Sequence, residues 1–231
     1  MRPSKTLLFA VGFLAALSLT GCTNTRQGVS LLTVGKTLID SRRNQNQPRQ
    51  QIADSVVQRE VQRALQSGDG PFALMRIEET GSVAVLRVIE TNGPYNTWAA
   101  WGTSERRSVS TRGGVITSTR GLGADLMSSS VNGLLGMLSR REDGIERQVL
   151  RHLDGENQIE ETEAYCAFTP DGRQTYEGGA LRLQVTRVDV FCKTDTGTFD
   201  NYYLVSDGGR IVEARTWLGE GLGYFTLSHL R

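Results

Sequence analysis

The chain has 231 residues, a formal net charge of +1, 38% hydrophobic residues, 7% aromatic residues and 26 glycines. These proportions exclude the compositionally extreme classes of protein and are typical of a globular chain with one domain or two small ones. The near-neutral charge excludes a bulk attraction to nucleic acid, so any electrostatic preference must come from local patches. A chain of this length buries a full core without a metal ion.

The N-terminus, MRPSKTLLFAVGFLAALSLTGC, has the three-part plan of a secretory signal: a basic start, an apolar run over residues 7–19 and an exit of small residues. The run is shorter than the ~20 apolar residues that span a membrane. We therefore predict a signal peptide over residues 1–21.

The stretch LSLTGC resembles a bacterial lipobox, in which the thiol of the last residue, here Cys22, receives a diacylglycerol and the chain is cut before it. The alternative is an ordinary signal peptide with a chance cysteine. Attachment of two or more acyl chains anchors a protein stably. Thr23 stands where an aspartate would resemble an inner-membrane retention signal, so we expect the protein on the outer membrane, facing the periplasm.

The two remaining cysteines are expected to form a structural disulfide. An exported chain enters an oxidising compartment, where paired cysteines persist, and Cys166 and Cys192 both lie in strand-like segments, AYCAF and VDVFC. A metal site has little support, because there is no CxxC motif and His152 and His229 lack ligand spacing. We predict neither a metal nor a cofactor.

The segment between Cys22 and the folded part reads as two regions. Residues 22–49 are polar at both ends and predict a tether. Over residues 50–67 apolar side chains recur at helical spacing until SGDGP ends the pattern, which predicts an amphipathic helix. We expect its apolar stripe to pack on the following domain, with a partner protein as the alternative.

Residues 71–231 predict a mainly antiparallel β domain. FALMRIEETGSVAVLRVIET reads as a hairpin, and further short strands continue to the C-terminus. Residues 123–139 interrupt the pattern with a helical spacing of apolar residues, which indicates a short helix or a lid. GGVITSTR at 113–120 and GGRIVEAR at 208–215 match at four positions, which leaves open whether the domain consists of two related halves.

No catalytic constellation stands out. The two histidines sit in no recognisable motif, and the carboxylates around Glu78 and Glu160 are best interpreted as a solvated face. Trp98 and Trp101 are candidates for stacking on sugar rings, although core packing is the commoner role of tryptophan. Arg112 and Arg120, with Arg106 and Arg107, are candidates for contact with an anionic polymer or a partner, although a solvated surface is the commoner role.

Several of these segments together resemble the YjbF/GfcB lipoproteins of exopolysaccharide and group 4 capsule operons. The most specific part is a tryptophan-containing strand, a turn and a glycine-isoleucine strand that leads to threonine, glycine, leucine and, shortly after, aspartate and leucine. Here these residues are Trp101, Gly114, Ile116, Thr119, Gly121, Leu122, Asp125 and Leu126. FDNYYLVSDGGRIVEARTWLG resembles the family's terminal aromatic strand and turn, but departs from it at Ala214, Trp217 and Glu220.

The resemblance implies a barrel-like arrangement of coiled antiparallel sheets, a lipid anchor at the outer membrane and a part in polysaccharide secretion. It brings no catalytic residues. Implied partners are other export proteins, including an outer-membrane β-barrel protein, and the polysaccharide itself. The leading hypothesis is a non-enzymatic accessory or assembly factor. The alternatives are an enzyme that modifies the glycan with carboxylates in a groove beside Trp98 or Trp101, and a general envelope-assembly lipoprotein.

Overall fold

A computed structural model describes residues 53–68, 70–104 and 107–231. The predicted signal peptide, Cys22, the tether, Arg106 and the first three residues of the predicted helix lie outside the described residues. Neither helix in the described ranges has the length and hydropathy needed to cross a membrane.

Helix α1 (Asp54–Ser67) covers one outer face of the domain. Val57, Val61 and Ala64 repeat every three or four residues, so they share one side of the helix and are buried there. That side packs against Phe72, Val85 and Leu230 in a single apolar cluster. The stripe that the sequence predicts is therefore covered by the chain itself.

Twelve antiparallel strands form one sheet, and alternation of apolar and polar residues produces most of them. The strands are β1 Phe72–Ile77, β2 Ser82–Asn92, β3 Tyr95–Ala100, β4 Ser108–Arg112, β5 Val115–Arg120, β6 Leu126–Ser129, β7 Gly144–Leu153, β8 Ile159–Gly178, β9 Leu181–Lys193, β10 Thr198–Ser206, β11 Ile211–Trp217 and β12 Tyr224–His229.

The order across the sheet is β5-β4-β3-β2-β1-β12-β11-β10-β9-β8-β7-β6. Strands that are consecutive in the chain pair with each other, except β5 and β6, and β1 pairs with β12 through, for example, Ala73 opposite His229. The two strands left at the sheet edges, β5 and β6, are consecutive in the chain. The sheet is thus a nearly closed barrel, which confirms the predicted fold class.

Two clusters of buried apolar side chains fill the barrel interior. Around the disulfide, alternate residues of β8 and β9 point inward, and Phe168, Val188 and Val190 are fully buried there. Cys166 lies directly opposite Cys192 in the β8–β9 ladder, and the two form a disulfide inside this core. The predicted pairing is therefore present.

Helix α2 (Asn132–Arg140) closes one end of the barrel, which we call the helix-capped end. Leu134, Met137 and Leu138 belong to the interior cluster, and Arg141 donates to the carbonyl of Ser206 in the β10–β11 turn at 2.6 Å. The predicted helix began earlier, at residue 123. That start is wrong, because Met127 lies in strand β6.

The β4–β5 turn beneath α2 requires glycine. Gly113 and Gly114 have φ of +58° and +92°, and a Cβ atom on Gly114 would lie 3.0 Å from both a side-chain and a backbone atom of Ile211. Side chains rarely adopt this backbone conformation. The glycines therefore let the turn approach the opposite wall of the barrel.

Candidate functional site

An apolar cavity of about 250 Å³ opens at the other end of the barrel, which we call the loop end. It lies among the loop-end halves of β1–β4 and the β5–β6 loop. Nine of its lining residues are apolar and three are polar: Met75, Ile77, Val83, Ala84, Leu86, Trp98, Ala100, Val109 and Leu122, with Ser82, Arg107 and Ser108.

The floor of this cavity consists of core residues. Met75, Leu86, Trp98 and Val109 are all less than 9% exposed and belong to one apolar cluster. Ala84 and Ala100 belong to the same region but are small, so the space between the strands stays unfilled there. The cavity thus results from a change in residue size along the inner faces of β2 and β3.

Trp98 is a core residue. It is 2% exposed, its Nε1 donates to the hydroxyl of Thr111 at 2.8 Å, and its ring makes an edge-to-face contact with His229 at 5.4 Å. The indole therefore presents no face on the outer surface for stacking on a sugar, and contact of Trp98 with a glycan or a partner stays a prediction. Core packing, the commoner role of tryptophan, is what the structure shows.

Trp101 lies on the opposite side of the sheet from Trp98. Its ring packs edge-to-face on Phe72 with centroids 6.5 Å apart, within the cluster that holds α1. The two tryptophans therefore do not line a common groove.

Arg112 and Arg120 lie at opposite ends of the β4–β5 hairpin. Arg112 donates to the side-chain carbonyl of Asn132 at 2.5 Å and lies 5.7 Å from the ring centroid of Tyr95. Arg120 donates to the carbonyl oxygens of Thr119 and Leu126. These contacts place the two guanidinium groups in separate structural roles, and the structure does not bring them together as one basic patch.

Side chains close the gap between β5 and β6, which we call the seam. Thr119 Oγ1 donates to Asp125 Oδ1 at 2.9 Å and accepts from the backbone amide of Leu126 at 2.9 Å. The Asp125 carboxylate also accepts from the amides of Gly121 at 2.7 Å and Leu122 at 3.0 Å. Together with the contact from Arg120 to Leu126 and a 3.2 Å hydrogen bond from Ser129 Oγ to the carbonyl of Ile116, these side chains take the place of a backbone ladder.

A groove at the loop end carries acidic side chains, among them Glu161 and Glu163 of β8 and Glu220 of the β11–β12 loop. His152 and Trp217 also line this groove. Two of these carboxylates are engaged: Glu161 pairs with Arg151 at 2.6 Å and Glu163 pairs with Arg147. The hydrogen bond from Arg147 lowers the pKa of Glu163 below its ordinary value. A general acid for glycoside cleavage needs the opposite change.

The histidines provide no catalytic pair. His152 makes a 2.8 Å hydrogen bond with the carbonyl of Leu218 at the loop end, whereas His229 is buried in the barrel beside Trp98. Burial lowers the pKa of His229 to about 4, with a smaller contribution from the charge of Arg210. Across the described ranges no three His, Cys, Asp or Glu side chains are grouped so that they could hold a metal ion.

A protein-family profile described as group 4 capsule polysaccharide lipoprotein gfcB, YjbF, matches residues 35–230. The chain belongs to the YjbF family. Among solved structures it is similar to the hypothetical lipoprotein YmcC of Escherichia coli, with 14% identity, a TM-score of 0.61, and coverage of 70% of this chain and 87% of that one. An exported protein with a YmcC-like fold from Bacteroides fragilis is 11% identical, with a TM-score of 0.33 and coverage of 70% and 93%. No curated protein matches.

The YjbF-type residues of the central segment are structural. Thr119, Gly121, Asp125 and Leu126 build the seam, and Leu122 extends from the same loop to line the cavity. Ile116 is buried in the adjoining core. Most of these residues thus lie in the loop that joins β5 to β6 or in the strand ends beside it.

An exposed apolar row on the outside of the barrel was not found from the sequence. Ile145, Ala167 and Phe191 lie side by side across β7, β8 and β9, and Ile145 and Phe191 are 73% and 51% exposed. Tyr165, on the same outer face, is 59% exposed. Finding this row requires the register of β7, β8 and β9, because the three residues are neighbours only across the strands. The sequence pattern does not give that register.

Proposed function

We propose that this protein is an outer-membrane-anchored periplasmic lipoprotein that acts as a non-enzymatic accessory or assembly factor in exopolysaccharide or capsule production. The observation that carries this proposal is the match of residues 35–230 to a family of capsule polysaccharide lipoproteins. Cys22 is the proposed attachment site of the lipid. The proposed partners are other export proteins, including an outer-membrane β-barrel protein.

The described geometry supports a role in assembly over a role in glycan cleavage. The acidic groove lies beside Trp217, not beside Trp98 or Trp101 as the enzyme hypothesis expects. The hydrogen bond from Arg147 lowers the pKa of Glu163 in this groove, which favours the ionised form. Neither observation favours an acid that donates a proton to a leaving group.

A deletion strain tests the proposal under conditions in which the neighbouring genes are expressed. We expect reduced surface polysaccharide, restored by the wild-type gene supplied in trans. Normal polysaccharide in the deletion strain would contradict the proposed function. Gene neighbourhood separates this function from general envelope assembly, because only the former predicts adjacent polysaccharide-export genes.

The exposed row is where we place the contact with a partner protein. Exposed apolar side chains grouped on one face mark interaction sites more often than scattered ones do. In the complementation assay, Phe191→Ser should lower surface polysaccharide at an unchanged protein level. Ile89→Ser is the matched control, because Ile89 is similarly exposed, at 53%, but lies on β2. Equal effects of the two substitutions would argue against the exposed row.

A further inference from the structure

We propose that the cavity at the loop end binds one linear hydrocarbon chain, the acyl chain of a lipid whose headgroup stays at the mouth. The inference rests on the cavity's own lining and is independent of the proposed role in polysaccharide production.

The interior of the cavity offers almost nothing to a polar ligand. Its floor is formed by Met75, Leu86 and Trp98, and the one polar group of that floor with a proton to donate, Trp98 Nε1, already donates to Thr111. Water gains few hydrogen bonds in such a space, so an apolar guest displaces it favourably. A sugar, in contrast, would lose the hydrogen bonds of its hydroxyl groups.

The side chains of the cavity wall are small where the hydrocarbon chain would lie. Ala84 stands opposite Met75 in the β1–β2 ladder, and Ala100 stands opposite Leu86 in the β2–β3 ladder. Larger side chains at these two positions would fill the space between the strands. The alanines therefore keep open a passage from the mouth to the core.

The polar lining is confined to the mouth. Ser82 and Arg107 are exposed, and Ser108 is half-buried at the start of β4. A ligand that is apolar at one end and polar at the other matches this gradient, with its headgroup in solvent beside these side chains. The volume of about 250 Å³ corresponds to about eight water-sized units, and a methylene group is of similar size.

The main test is chain-length dependence in the full chain carrying Cys22→Ser, which has no acyl group of its own. Displacement of the fluorescent probe N-phenyl-1-naphthylamine by 1-alkanols from butanol to dodecanol reports the affinity of each chain. We expect the affinity to rise about fourfold per methylene and to level off near eight carbons. An affinity that keeps rising to dodecanol, or that does not depend on chain length, would overturn the proposal.

A matched pair of substitutions locates the binding. Ala100→Leu fills the cavity and should weaken octanol binding at least tenfold. Ala99→Leu adds the same side chain one residue earlier on β3, outside the lining, and should leave binding unchanged. Equal affinities of the two variants would refute the site.

A second variant keeps the test decisive if Ala100→Leu does not fold, as judged by circular dichroism. Leu122→Ala enlarges the cavity from the β5–β6 loop, so the levelling-off should move to longer alkanols by two or three methylenes. An unchanged chain-length profile in this variant would contradict the proposed location.

Comparison of the acylated wild type with Cys22→Ser distinguishes the source of the chain. Equal octanol binding by both supports a lipid supplied from outside. Loss of binding in the acylated protein alone would overturn that source and assign the cavity to the protein's own acyl group.

Discussion

At the scale of single residues, Asp125 and His229 differ in how their polar atoms are paired. Asp125 is satisfied by three hydrogen bonds at the seam. Both ring nitrogens of His229 are buried without a hydrogen-bond partner. Asp125 therefore acts through the hydrogen bonds that it accepts, whereas burial opposes ionisation of His229.

Substitution of Asp125 should weaken the seam. Hydrogen bonds to an ionised group are worth about 1.5–3 kcal/mol in net terms, so we expect Asp125→Ala to lower the free energy of unfolding by about 2 kcal/mol, measured by urea titration. Asp195→Ala, at an exposed position in the β9–β10 loop, is the control and should change stability by less than about 0.5 kcal/mol. Similar losses of unfolding free energy in both variants would show that the hydrogen bonds of Asp125 do not stabilise the seam.

His229 should make the protein less stable in mild acid. The unfolded chain takes up a proton near pH 6.5, whereas burial lowers the pKa of the folded ring to about 4. The stability that depends on a neutral ring is complete above pH 6.5 and is lost as the pH falls toward 4, by about 2 kcal/mol between pH 7 and pH 5.

Urea titrations at pH 7 and pH 5 measure this loss, and His229→Leu should remove most of it. A wild type whose stability does not change between these pH values would contradict a buried neutral His229.

At the scale of elements, the spacing of apolar residues predicts the helix α1. It does not predict which face of a strand lies inside the barrel, because that depends on how the strands pair. Val57, Val61 and Ala64 repeat at helical spacing, so α1 and its packing face follow directly. Trp98 has neighbours of mixed polarity in NTWAAW, and nothing in that pattern tells which side of β3 faces the barrel interior. The sequence therefore left the choice between core packing and ligand contact open for Trp98, and it did not predict the cavity beside this residue.

The same limit explains the early start predicted for α2. Met127 fits a helical face together with Leu134 and Leu138, but pairing of β6 with β7 holds residues 126–129 extended. Long-range strand pairing overrides a local helical pattern here.

The disulfide should stabilise the β8–β9 pair. Cys166 and Cys192 are 26 residues apart, and closing a loop of that length contributes about 3.5 kcal/mol in the chain-entropy model. We expect the double variant Cys166→Ala/Cys192→Ala to unfold at a correspondingly lower urea concentration. A midpoint unchanged from that of the oxidised wild type would show that the strand pairing alone fixes this hairpin.

At the scale of the whole molecule, the fold class and the family followed from the sequence, because the motifs at Thr119, Asp125 and their neighbours belong to the closure that defines the barrel. The proposed attachment to a membrane rests on the sulfur of Cys22, in a segment far from that closure in sequence. On this proposal, folding and anchoring are encoded separately.

Replacement of Cys22 tests the anchoring alone. Without a thiol no acyl chain is attached, so we expect Cys22→Ser to leave the membrane fraction and to appear in the soluble periplasmic fraction or to remain unprocessed. Cys192→Ser, whose position lies in the folded core, is the control and should stay with the membrane. Normal processing and membrane retention of Cys22→Ser would refute lipidation at this residue.

The pairing of β1 with β12 has a consequence for the order in which the chain folds. Synthesis delivers Phe72 more than 150 residues before His229, yet the two strands that hold these residues are neighbours in the finished sheet. Until the last strand emerges, one edge of β1 has no partner and contacts of high sequence separation are missing, which slows folding. The C-terminal residues therefore act as the final closing step, and a nascent chain that lacks them exposes β1 and β11 as open edges prone to pair with other chains.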